Sequence, residues 1–153
     1  MKKSIFLMLF AIVIMGCKSK TPVTSTVVDN KTERAIKGNY VLSSVSYPGS
    51  DYINVSSFDI ADSKCFVGSK WKFVSNNNKG NFALANASCT SFVSDITWYI
   101  NKEGKFVMKV LNDSKSKKLK EGYILRVQNV TESSFQLVDL GDVGGKSIDI
   151  VYQ

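Results

Sequence analysis

Histidine is absent from all 153 residues. Without an imidazole there is no Ser-His-Asp or Cys-His relay in its usual form, and most zinc sites lose a principal ligand. No twelve-residue loop with ordered oxygen ligands is present for calcium. Carboxylate pairs such as Asp139 with Asp142, or Asp59 with Asp62, give no sign of facing each other across the roughly 5 to 10 Å that glycosidic chemistry needs. Gly141 to Ser147 reads Gly-Asp-Val-Gly-Gly-Lys-Ser, one residue short of a phosphate-binding loop and with no helix after it, so it is a glycine-rich turn. The chain is therefore expected not to be an enzyme and to need no cofactor or metal. It also lacks any apolar run of the roughly 20 residues that a membrane-crossing helix requires.

The longest apolar run, Ile5 to Ile14, holds about ten residues and follows Lys2 and Lys3, the layout of a secretory signal. It ends in Ile14-Met15-Gly16-Cys17, which resembles the lipobox of bacterial lipoproteins. The resemblance implies a signal peptide over residues 1–16, cut where a peptidase approaches the Gly16 backbone. It also implies a diacylglyceryl group on the Cys17 thiol. Palmitate-type acyl chains contribute about 0.8 kcal/mol per buried methylene, which makes the membrane attachment effectively permanent. The alternative is an ordinary signal peptide with an incidental cysteine. Residues 17–35, from Lys18-Ser19-Lys20 onward, are polar, contain Pro22 and show no periodicity, as a flexible tether would. Lys18 after the lipid site, with no acidic cluster behind it, favours an outer-membrane anchor facing the periplasm.

Cysteine is scarce as well. Of three, Cys17 is set aside for lipid, and Cys65 with Cys89 remain in a chain bound for an oxidising compartment. A disulfide between them is expected, worth roughly 3 kcal/mol by loop closure. Two free thiols or a redox pair is the alternative, without the Cys-x-x-Cys spacing that lowers a thiol pKa. Loss of Lys2 and Lys3 with the signal lowers the net charge of +7 by two. The rest is not arranged as a basic stripe interleaved with aromatics, so no nucleic-acid partner is expected. Lys115, Lys117, Lys118 and Lys120 gather in one loop, either a solvated hairpin connection or a contact for anionic headgroups.

From Gly38 the apolar pattern has period two, with turn residues between runs. Eight strands are expected: 38–47, 70–75, 81–85, 95–101, 105–111, 122–130, 134–140 and 146–152. The stretch 51–68, bearing Phe58, Ile60 and Phe66, is less regular and suits a short helical or looped lid. No amphipathic helix of ten residues follows the signal. Short connections between sequential antiparallel strands favour an all-β, up-and-down barrel over residues 36–153.

Gly38-Asn39-Tyr40-Val41-Leu42, Cys65 ahead of Trp71-Lys72-Phe73, and Cys89 ahead of Ile96-Thr97-Trp98-Tyr99-Ile100 resemble the lipocalin-like lipoproteins of Gram-negative bacteria. That resemblance implies an eight-stranded barrel whose interior holds a small hydrophobic molecule. Such a barrel is either just filled by side chains or able to enclose one small ligand. The inward set is Trp71, Phe73, Phe82, Trp98, Phe106, Met108, Tyr123 and Phe135, which either lines a cavity or fills it. Two functions follow: a membrane-tethered monomer that binds or sequesters a small hydrophobic molecule, or a solid barrel acting through its loops as an envelope interaction or inhibitor protein.

Overall fold

The computed structural model describes residues 30–50, 54–112, 122–143 and 146–153. The signal segment, Cys17, the tether up to residue 29 and the Lys115–Lys120 loop lie outside the described residues.

Alternating inward and outward side chains produce an all-β structure. Nine strands form one antiparallel sheet: β1 (Gly38–Val41), β2 (Val45–Ser46), β5 (Lys70–Val74), β6 (Lys79–Ala83), β7 (Val93–Ile100), β8 (Lys105–Val110), β9 (Tyr123–Gln128), β10 (Gln136–Val143) and β11 (Lys146–Tyr152). A separate hairpin pairs β3 (Ser56–Ser57) with β4 (Ala61–Asp62), and a 3-10 turn (Ser63–Phe66) follows it. The strand count thus differs from the eight expected. The run 38–47 breaks at Leu42-Ser43-Ser44 because it changes partners there. The strand order is β1-β5-β6-β7-β8-β9-β10-β11-β2, so β1 and β2 occupy opposite ends of the sheet although only three residues separate them. Leu42 donates to the Ser69 carbonyl on the β5 side, whereas Ser43 and Ser44 donate to the Gln153 carbonyl beyond β11. The sheet is curled into a half-barrel, and this one bent segment touches both of its edges.

The concave face carries the core. Phe82, Trp98 and Phe106 are at most 1% exposed, with Met108, Leu125 and Ile150 beside them. Trp71 stacks on Phe82 with ring centroids 4.3 Å apart, and Trp98 stacks on Phe106 at 5.6 Å. Each such ring contributes about 2–3 kcal/mol by burial, and a well-placed aromatic pair about 0.5–1.5 kcal/mol more. Gly80 admits this packing: a Cβ there would stand 2.2 Å from the Lys72 carbonyl oxygen and 3.1 Å from Ile96.

Residues 30–35 depart from the tether expected over 17–35. They form a six-residue helix, α1 (Asn30–Ala35). Two anchors account for it: Ile36 is fully buried just after it, and Asn78 Nδ2 donates to Glu33 Oε1 at 2.9 Å. The lid region 54–68 contains a hairpin as well as the helical turn, and it is fastened twice. Cys65 and Cys89 form a disulfide with Cα atoms 5.8 Å apart. Gly68 N–H donates to the Leu42 carbonyl at 2.8 Å.

Candidate functional site

β11 ends at Tyr152, opposite Leu137 of β10 on one side and Val45 of β2 on the other. Beyond that point the flanks of the sheet separate, with β1 on one side and Ser133–Leu137 on the other. The gap is a slot of about 160 Å³. Trp71, Phe73 and Met108 form its back, Tyr40 and Leu42 one side, and Phe135 and Leu137 the other. Exposed Val41, Ser43, Ser133, Ser134 and Gln153 make the rim. Among the described residues, none that lines the slot carries a charged side chain.

Local hydrogen bonds fix the slot's polar tips so that its interior stays apolar. The Trp71 indole N–H donates to Ser69 Oγ at 2.7 Å, and Ser69 donates onward to the Phe66 carbonyl. Ser57 Oγ and the Tyr152 hydroxyl are 2.5 Å apart. Burial pushes the Tyr152 phenol well up from its ordinary value, despite the opposing hydrogen bond from Ser57. Burial likewise raises the Tyr40 phenol, whose hydroxyl reaches the Ala35 and Lys37 carbonyls at 3.4 Å. Neither phenol is positioned as an acid or base near neutral pH. Among the described residues, no group of three His, Cys, Asp or Glu side chains is placed to hold a metal ion.

Phe58 forms the inner end. It sits in the three-residue turn of the β3–β4 hairpin with φ +55°, followed by Asp59 at φ +54°. A bulky side chain in left-handed backbone costs of order 1–2 kcal/mol and persists only where packing compels it. Here the Phe58 ring meets Phe66 at 5.3 Å, Tyr123 at 5.2 Å and Tyr152 at 5.6 Å. The Tyr123 hydroxyl also donates to the Phe58 carbonyl at 2.6 Å. On its far side Phe58 lines a second depression of about 560 Å³, with Asn54, Ser56, Asp59, Tyr123 and Asp139. Burial raises the Asp139 carboxyl above its ordinary value, opposed by the Leu140 N–H at 2.9 Å. This second depression is wider but mixed in polarity, and it offers less contact to an apolar molecule than the slot.

The inward set divides three ways. Trp71, Phe73, Met108 and Phe135 line the slot. Phe82, Trp98 and Phe106 are packed core with no face on it, the Trp98 indole donating to the Lys79 carbonyl at 3.0 Å. Tyr123 belongs to the second depression. Tyr40, Leu42, Leu137 and Tyr152 join the slot although the inward set omits them. Their period-two positions carried the signal, whereas Phe58 was expected only as part of the lid and not at the slot.

No protein-family model, no curated protein and no solved structure matches this chain.

Proposed function

We propose that the chain is a lipocalin-like lipoprotein, anchored through Cys17 at the periplasmic face of the outer membrane, whose barrel binds a small hydrophobic molecule in the slot. Counting β1 and β2 as one bent strand would give the main sheet the eight strands of such a barrel, which supports this reading. The observation that carries the binding role is the apolar slot of about 160 Å³ lined by Tyr40, Leu42, Trp71, Phe73, Met108 and Phe135. An engineered apolar cavity of about 150 Å³ binds benzene, so the scale suits one ring or a short alkyl chain rather than a large lipid. Native mass spectrometry of the purified full chain tests this together with titration of an apolar fluorescent probe. A co-purifying small molecule, or saturable probe binding with the disulfide intact, is the expected result; absence of both refutes it.

One observation favours a second reading, an envelope interaction or inhibitor protein with a solid barrel. Phe82, Trp98 and Phe106 fill the interior beyond the slot. On the outer face, exposed Tyr99 and Ile124 flank Val107 in one row. A protein partner that binds undiminished when the slot is blocked would support that reading over the first.

A further inference from the structure

Among the described residues, β1 is an edge strand hydrogen-bonded on one side only, to β5. Leu42 directs both its N–H and its carbonyl to the β5 side, bonding Ser69 and Gly68. By the alternation of an extended strand, Tyr40 does the same, while Asn39 and Val41 direct theirs the opposite way, Val41 on the side of the slot. Ser43, next in that alternation, obeys it: its N–H donates to the Gln153 carbonyl where β11 ends. The slot therefore continues the track of β11, one strand wide, with Val41 N–H and carbonyl unpaired along it among the described residues. Backbone amide groups left facing a cleft of this kind are satisfied by adding an extended segment to the edge.

From this geometry we propose, resting on the binding role above, that the slot selects an amide-linked apolar group. A ligand amide N–H donates to the Val41 carbonyl, and in an extended peptide the carbonyl of that same residue, on the next amide along, accepts from the Val41 N–H. A ligand with one amide makes one of these two bonds, and the apolar end points inward beside Tyr40 and Phe135. An extended peptide with a hydrophobic side chain and an N-acyl amide share this chemistry. Charged side chains contribute nothing to the recognition, since none among the described residues lines the slot.

The test titrates the full chain with four probes, followed by tryptophan fluorescence, since Trp71 forms part of the slot wall. They are toluene, N-acetyl-Ala-Phe-methylamide, the matched depsipeptide with an ester oxygen in place of the Ala N–H, and N-methylhexanamide. The amide is expected to bind about five-fold more tightly than its ester, the scale of one net hydrogen bond. Val41→Pro removes the edge N–H without touching a β5 bond and is expected to weaken the dipeptide about five-fold, through the lost bond to its carbonyl. The tighter of the dipeptide and N-methylhexanamide identifies the source of the amide. Equal affinity for amide and ester, with toluene still bound, overturns the amide proposal and leaves the binding role standing. No binding of any probe, toluene included, overturns both.

Discussion

Tyr40 and Phe135 meet edge to face across the slot, with ring centroids 4.9 Å apart and planes at 84°. The two residues lie far apart in sequence, one on β1 and one just ahead of β10, and each also contacts Phe73. Their contact closes the floor of a gap that backbone hydrogen bonds leave open.

Filling that gap should abolish binding without unfolding the protein. Leu137→Trp adds an indole to a space of about 160 Å³. Affinity for an apolar probe is expected to fall at least ten-fold, while the unfolding free energy from urea denaturation changes by less than about 1.5 kcal/mol, the usual cost of a tolerated hydrophobic swap.

The core behind the slot should respond in the opposite way. Phe106→Ala leaves a cavity beside Trp98 and is expected to cost about 3–5 kcal/mol in urea denaturation. Gly80→Ala should cost about 2 kcal/mol, because its Cβ has only 2.2 Å to the Lys72 carbonyl oxygen and the backbone must shift. If Gly80→Ala is neutral, the close approach of β6 to β5 is not as described.

The disulfide ties the 3-10 turn to the loop before β7. Replacing Cys65 and Cys89 together by serine is expected to lower stability by about 3 kcal/mol. Since Phe66 and Ser69 flank Cys65 and support Trp71, probe affinity should weaken as well.

Asp139 gives a pH-dependent prediction. Its folded-state pKa is raised by burial, so the folded form favours the protonated carboxyl more than the unfolded chain does. The associated stability is fully present below the unfolded value of 3.8 and is lost as pH rises through the folded value. Asp139→Asn should therefore stabilise the protein at pH 7, and the gain should shrink towards pH 3. The check is the difference in urea midpoints between the two proteins at both pH values.

Much of the sheet was legible because period-two alternation encodes which side chains face inward. Phe106, Met108 and Val110, or Trp71 and Phe73, announce a buried face by spacing alone. The break at Leu42-Ser43-Ser44 was not legible, because a change of hydrogen-bond partner leaves the alternation intact. The slot was half legible for a related reason. An inward position marks both core and cavity, and only the end of β11 at Tyr152 decides that Phe135 borders a space while Phe82 does not. Phe58 was legible as part of the lid, but its left-handed conformation was not, because it runs against the residue's intrinsic preference and is imposed by Phe66, Tyr123 and Tyr152. The short helix α1 was hidden in a polar stretch; its anchor is Asn78, far along the chain.

Met108 offers the most direct test. It lines the slot, is 1% exposed, and is the one methionine among the described residues. With 13C-methyl-labelled methionine, titration of the full chain with toluene is expected to shift the Met108 methyl resonance saturably, and Leu137→Trp should remove the shift. A Met108 resonance that stays fixed up to the solubility of toluene would contradict the account, as would a shift that persists unchanged in Leu137→Trp.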